Sequence, residues 1–404
     1  MSTIKVNRIE NTSTTDGGVS IDVDGHVTID GQQLPTAGPL SNRNLIINGE
    51  MAVSQRTTST TGVNSANYLA CDRFVTNVFQ FGVWTVNQRT GGFGDTWEAG
   101  AYEKFRSSLE LVCTTPDTSP GGTDNVRIIQ YIEGQNLQHL NYGESTAQAL
   151  TLSFWVKSNK TGTASFEINQ PDNSSRMFTT SYTINAADTW EKKVINIPAD
   201  TAGVISNDTG RGLMLQWWLN SGPDFTGGSH SSTWVANDNT ARNANNIGVG
   251  SAASDNFSLT GVQLEVGSKP TPFEHELYSQ TLAKCQRYYQ IITPLNRPSS
   301  TVALGAYYTA TRVFCVVDLK QTMRGEPTLV TDGDSGSFQI FRADTNDICN
   351  APTFGASQNI NQVEFEFTSG VNTAGSNFPC WIRTSDTTGT NTGDTAFIAA
   401  QAEL

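Results

Sequence analysis

Hydrophobic and polar positions alternate along most of this chain with the two-residue period of a half-buried strand. In ALTLSFWVKS, Leu150, Leu152, Phe154 and Val156 share one face and Trp155 lies on the other. In GLMLQWWLN, Leu213, Leu215, Trp217 and Leu219 share one face, opposite Met214, Gln216 and Trp218. KKVINIP and FSLTGVQLEVG read the same way, with long Gly, Asn and Ser connections between the runs. Many short strands of this kind over residues 41–274 predict a jelly-roll β-sandwich rather than a parallel α/β domain.

The two ends of that region differ from it. GGVSIDVDGHVTIDG alternates through Val19, Ile21 and Val23, then Val27 and Ile29, around Asp24-Gly25, which predicts a hairpin. One hairpin cannot bury its own apolar face in water. Residues 1–40 are therefore expected to be an attachment or oligomerisation segment, with Val19, Ile21 and Val23 at the contact. LPTAGPL (34–40) reads as a linker.

Beyond two prolines, the stretch VQLEVGSKPTPFEHELYSQTLAKCQRYYQ (262–290) turns helical, with Tyr278, Leu282, Cys285 and Tyr289 on one narrow apolar stripe. This predicts a connector helix over 275–292. Its stripe would pack on the chain's own β domain or, near a threefold axis, on copies of itself. Strands resume at VALGAYYTA, RVFCVVDL, SFQIF, QVEFEF and AFIAAQAEL, so a C-terminal β-sandwich is expected over 293–404.

Composition narrows the function. Charged residues make up only 16% of the chain, against about 25% in ordinary domains, and the surface must be rich in hydroxyls and amides. A net charge of −13 without any basic run argues against a nucleic-acid partner and against an anionic membrane surface. No stretch approaches the ~18 apolar residues of a membrane span. The opening MSTIKVNRIENTSTTDG has no apolar leader core, so the chain is expected to stay where it was made until it is released. Six widely spaced cysteines without a CxxC pair read as buried reduced thiols.

Several strings imitate catalytic signatures and fall short of them. GDSGS (333–337) lacks a His in a recognisable context, and Asp, Ser and Gly between strands are ordinary turn residues. HELYS (275–279) lacks the second His of a zinc-binding helix, and DVDGH (22–26) lacks the Gly and Glu of a calcium loop. GGFGDTW lacks the flanking strand and helix of a phosphate loop. No catalytic residue is assigned, and no enzyme is expected. The aromatics carry more. Trp155 and Trp218 oppose their strands' aliphatic rows, and Trp234 lies in the loop SHSSTWVANDN. A sugar face stacks on such a ring while nearby Asn, Gln and Asp take its hydroxyls, so these three are the glycan-binding candidates.

NLIINGEMAVSQR (44–56), YLACDRF (68–74), IIQYIEG (128–134), LSFWVKS (152–158), STW (232–234), LTGVQLEVGSKPTPFE (259–274) and ELYSQTLAKCQRYYQ (276–290) follow one another in order. Together with MRGEPTL (323–329) and the terminal AEL, they resemble a family of bacteriophage tail-fibre and related virion proteins. The resemblance covers residues 41–404, and its most specific part is the junction from VQLE to CQRYY. It implies a central domain similar to carbohydrate-binding modules in a fibrous homotrimer assembled in the host cytoplasm. Such a fibre would dock on other tail or baseplate proteins through residues 1–40 and meet host cell-surface glycans distally. Carbohydrate-binding modules of this type often hold a structural calcium. Here Glu50 and Asp255 are the matching acids, but Met51 and Ala52 replace the usual aromatic-acid pair, so a structural calcium is possible rather than expected and no cofactor is required. Two alternatives share these motifs: a fibre-associated polysaccharide depolymerase, and a structural head or tail appendage without a ligand.

Overall fold

The computed structural model describes residues 8–10, 18–21, 27–29, 32–33, 42–90, 105–172, 175–293, 300–331, 336–342, 345–350, 352–355, 358–369, 378–385 and 397–404. The chain divides into two units, Met1–Leu277 and Tyr278–Leu404. Strands β1 (Arg8–Glu10), β2 (Gly18–Ile21), β3 (Val27–Ile29) and β4 (Gln32–Gln33) form an antiparallel meander in that order. Val19 pairs with Ile29 and Ile21 with Val27, as the alternation predicts. The two outer strands escaped notice because neither carries an apolar alternation. Val23, the Asp24-Gly25 turn, the linker 34–40 and GGFGDTW lie outside the described residues, as does most of GDSGS.

The sandwich comprises β5 (Ser59–Val63), β6 (Asn67–Tyr68), β7 (Phe74–Phe79), β8 (Val83–Thr90), β9 (Ser107–Thr115), β10 (Asn125–Glu133), β11 (Leu150–Ser158), β12 (Gly162–Gln170), β13 (Arg176–Ile184), β14 (Glu191–Ile197), β15 (Arg211–Ser221), β16 (Val235–Ala236) and β17 (Asn256–Val266). One sheet has the order β16-β13-β12-β15-β10-β7-β6, the other β14-β11-β17-β9-β8-β5. The chain passes repeatedly from one sheet to the other, which is the winding of a jelly roll. The aliphatic rows predicted for β11 and β15 meet in one core, where the Phe154 and Trp217 rings stand edge to face at 5.8 Å. Each large side chain fully buried there contributes about 1.5–3 kcal/mol.

The motif strings turn out to be joints of this frame. Asn48 folds its side chain inward, donating to Val53 O and Asp72 O and accepting from Val53 N, each at 2.9 Å. Gly49 lies so close to Val262 O that a Cβ would collide with it. Asp72 accepts from Gln55 N at 3.0 Å, and Arg73, only 1% exposed, donates to Tyr131 O at 3.1 Å. In VQLEVGSKPTPFE the Glu265 carboxylate accepts from Thr271 N at 2.8 Å and Thr271 Oγ1 at 2.6 Å. Gln263 Oε1 accepts from Glu274 N at 2.8 Å, and Glu274 Oε2 from Asn44 N at 2.9 Å, which ties both ends of the sandwich together.

The second unit contains α1 (Tyr278–Gln286), β18 (Tyr289–Ile291), β19 (Thr301–Tyr307), β20 (Arg312–Asp318), β21 (Thr328–Thr331), β22 (Phe338–Arg342), β23 (Thr345–Cys349), β24 (Thr353–Phe354), β25 (Gln362–Thr368), β26 (Pro379–Thr384) and β27 (Ile398–Gln401). A seven-stranded sheet, β23-β22-β26-β19-β20-β25-β24, and a three-stranded one, β18-β27-β21, share its core. The helix is shorter than its sequence pattern predicts. Tyr289 begins a strand and pairs with Gln401, because the aromatic and β-branched run YYQI finds a strand partner in the C-terminus. The expected stripe is therefore not one surface: Cys285 and Tyr289 are buried within their own unit, Leu282 is half-buried, and Tyr278 is exposed. CQRYYQ, MRGEPTL and AEL interlock here. Arg324 donates through its backbone N to Arg287 O, and through its guanidinium to Ala402 O and Glu403 O.

All six cysteines are buried, and none is bound in a disulfide. Burial pushes the Cys315 and Cys349 thiols up to about 12, so neither is a nucleophile at neutral pH.

Candidate functional site

The outer face of the six-stranded sheet is open along its β14 edge. There β11 and β14 form an antiparallel pair whose outward rungs are Thr151 with Asn196, Ser153 with Val194, and Trp155 with Lys192. Beyond them Lys157 Nζ stands 5.4 Å from the centroid of the Trp190 ring. Both tryptophans are half-buried, Lys192 is exposed, and Val194 keeps 46% of its surface in solvent. Successive rungs are about 7 Å apart, so the strip is about 20 Å long.

Two local devices fix this strip. On the β17 side, the register slips between Ser153 and Trp155, next to Gly261 at φ +58°. A Cβ at Gly261 would run into both the Phe105 and the Trp155 rings. Only glycine lets β17 bulge and admit them. Phe105 in turn meets Phe273 edge to face at 4.8 Å and His275 at 5.6 Å, which backs Trp155 with further rings. On the edge side, Glu191 gathers Asn185 N at 2.7 Å, Asn185 Nδ2 at 2.6 Å and Ala186 N at 2.9 Å, beside Lys193. Burial alone would raise the Glu191 carboxyl, but these hydrogen bonds, led by Lys193, outweigh it and bring it down to about 2. That carboxylate is thus committed to the edge turn and to Lys193. Thr151 and Ser153 are buried, and the Thr151 hydroxyl donates to Gly267 O at 2.8 Å. What the strip offers is therefore flat rings, the Asn196 amide and ammonium groups, a set that suits a ligand with apolar ring faces and polar edges.

The outer face of the seven-stranded sheet is built differently. The long connection from β15 to β17 returns over it and lays Phe225 5.1 Å from Trp218. Trp218 has no exposed surface, so it is not the open platform expected from its position in the strand. Its Nε1 donates to Glu167 Oε2 at 3.0 Å. Arg242 grips the same carboxylate, with Nε 3.0 Å from Oε2 and Nη2 2.8 Å from Oε1. The guanidiniums of Arg127 and Arg242 lie 4.7 Å and 5.6 Å from the Trp218 ring.

Trp234 is likewise no platform. It is 6% exposed, joins the core, donates from Nε1 to Pro198 O at 2.7 Å, and meets Tyr142 edge to face at 5.7 Å. The calcium candidates are not brought together. Glu50 Oε2 lies 3.2 Å from His275 Nδ1. Asp255 Oδ2 accepts from Gly250 N and Ala252 N at 3.0 Å and pairs with Lys160 at 3.4 Å. A carboxylate filled by two amides and an ammonium is a poor calcium ligand, so this donor set does not fit the ion. Among the described residues no group of three or more His, Cys, Asp or Glu side chains could hold a metal.

Sequence reasoning singled out Trp155, which lies on this strip, and passed over Trp190, Lys157, Lys192, Arg127, Glu167 and Arg242. Lys157 was legible, two residues from Trp155 on the same face. Trp190 was not, because nothing in one dimension places the start of β14 beside the end of β11.

No family model matches the chain, and no curated protein matches it. Among solved structures it is similar to the enzymatically active domain of tailspike protein 4 of bacteriophage CBA120, at 11% identity and a TM-score of 0.28, over 55% of this chain and 21% of that one. It is also similar to a putative sugar binding protein from Bacteroides thetaiotaomicron, at 13% identity and a TM-score of 0.29, over 56% of this chain and 100% of that one. A third similar structure is the family 11 carbohydrate-binding module of a Clostridium thermocellum cellulosomal cellulase, at 11% identity and a TM-score of 0.24, over 56% and 96% of the two chains. The chain thus spans about a fifth of the tailspike's length, 21%.

Proposed function

We propose that this chain is an adhesive protein of a bacteriophage virion, a tail fibre or receptor-binding protein that attaches the particle to glycans on the host surface. The observation that carries the binding half is the strip on β11 and β14. Two half-buried tryptophans, Trp155 and Trp190, face outward there, each beside a lysine, next to Thr151, Ser153 and Asn196. A saccharide lying along the strip would stack ring faces on the indoles and turn hydroxyls to Asn196, Lys157 and Lys192, since Thr151 and Ser153 are buried. The virion half is supported by the ordered motif strings from NLIINGEMAVSQR to the terminal AEL, most of which lie in the framework and one of which, LSFWVKS, carries Trp155 and Lys157 of the strip.

In this reading the protein acts by avidity, as a homotrimer whose shallow sites engage together, and it performs no chemistry of its own. Its N-terminal meander docks on other virion proteins and leaves the distal parts to meet the cell. A glycan array probed with the full-length chain tests the binding half, and binding to no glycan overturns it. Release of reducing ends from the bound polysaccharide would replace adhesion with a depolymerase. Solution mass tests the assembly: three times the 43.6 kDa of one chain is expected, and a monomer sinks the fibre.

A further inference from the structure

The covered face of the seven-stranded sheet carries a charge that the described residues do not neutralise. Two guanidiniums, Arg127 and Arg242, flank Trp218, and the carboxylate between them, Glu167, is occupied by Arg242 and by the Trp218 indole N–H. Arg127 Nε and Nη1 are buried and have no hydrogen-bond partner among the described residues. Arg127 stacks on the Trp218 ring, but its buried guanidinium donors are left open, which is costly unless a ligand or a neighbour fills them. Burial, followed by repulsion from Arg242, brings the Arg127 guanidinium down to about 10.

A second, independent observation lies one rung further along the same face. Arg127 pairs with Trp218, Ile129 with Gln216, and Tyr131 with Met214. Gln216 has no exposed surface, and neither its Oε1 nor its Nε2 has a partner among the described residues. Gln216 also pairs with Glu167, and Glu167 with Thr179, whose Oγ1 is in the same state. The open acceptor and amide donor of Gln216 thus lie one rung from the two unmatched guanidinium donors, while Thr179 is three strands from β10, about 14 Å across the sheet. The residues flanking this row along β10 and β15, namely Arg127, Tyr131 and Met214, are only partly buried, so the row lies next to solvent.

We infer that this face is a binding site for a carboxylate-bearing sugar. The carboxylate is received by Arg127, and a hydroxyl by Gln216. A hydroxyl both donates and accepts, as an amide with two open ends requires, whereas a bare inorganic anion offers acceptors only. The site is separate from the strip on β14 and does not depend on it.

The test uses the full-length chain with three probes, namely sodium glucuronate, glucose and sodium sulfate at equal ionic strength, read by calorimetry and by the shift in Tm. Saturable binding of glucuronate with a raised Tm is expected, with glucose and sulfate each at least tenfold weaker. Arg127→Gln should weaken glucuronate binding at least tenfold. Arg127→Met should leave the unliganded Tm equal to or above that of the parent, because it removes an unmatched buried charge. Absence of glucuronate binding overturns the site. Sulfate binding as tight as glucuronate overturns the sugar. A Tm several degrees lower in Arg127→Met shows that the protein itself satisfies the guanidinium, and also overturns the inference.

Discussion

Trp155 and Trp218 occupy equivalent places in their strands, each opposite a row of aliphatic side chains, yet they end in opposite environments. Trp155 stays half-buried on an open edge pair, with Lys192 as its cross-strand partner. Trp218 is enclosed by Phe225, Arg242 and Arg127 and tied to Glu167. What separates them is neither strand. It is the connection after β15, which doubles back over one outer face, while the edge of the other sheet is left clear. In this sandwich, therefore, whether an outward ring stays open to solvent is set by whether a loop returns across it.

The largest effect that would break this contrast belongs to Glu167. Replacing it by Ala should lower unfolding stability by about 3–5 kcal/mol, since Arg242 would be left buried without its partner. A denaturant midpoint unchanged from the parent would show that Glu167 does not hold Arg242 on the covered face. Next comes the pair of tryptophans. Trp218→Ala should cost about 3–5 kcal/mol, as for a fully buried ring. Trp155→Ala should cost less than half of that, and equal losses in the two unfolding curves would erase the distinction between the faces.

Smaller again is the contribution of the edge. The Glu191 carboxyl, near 2 in the folded chain against 4.5 ordinarily, contributes stability that is complete above about pH 4.5 and fades as the pH falls towards 2. The parent should therefore be more stable than Glu191→Gln at pH 6, and the gap should close on acidification through that window. A gap that is constant between pH 6 and pH 2.5 would contradict the hydrogen bonds assigned to Glu191.

The core was legible in the sequence wherever a strand alternates strictly. Leu150 to Val156 and Leu213 to Leu219 fall where their period places them, because one face of each strand must be dry. The N-terminal hairpin was legible for the same reason. The helix was half legible. Its stripe ran on into Tyr289, but a short helix and a strand share tyrosines easily, and the distant partner Gln401 decides between them. The outward residues were the least legible. Exposure on the outer face is set by a return loop more than thirty residues long, and by which strand happens to be the edge, and neither is encoded locally. Nor could sequence separate Glu50 from Asp255, whose carboxylates are engaged by different neighbours.

The exposed aromatics of the second unit give the sharpest control. Trp381, 44% exposed, stacks on Phe341 at 5.5 Å and 13° with Arg383 beside them, and Leu304 lies across from Trp381. This surface is aromatic and solvent-facing too, but it has an aliphatic rung where the β14 strip has lysines and Asn196. The decisive measurement is the affinity of the best array glycan for the full-length chain, for the Trp155→Ala/Trp190→Ala double variant, and for Trp381→Ala. Adhesion through the β14 strip predicts at least a hundredfold loss in the double variant, about 2.7 kcal/mol, with Trp381→Ala close to the parent. Full binding by the double variant, with loss confined to Trp381→Ala, would contradict it and move the attachment site to the second unit.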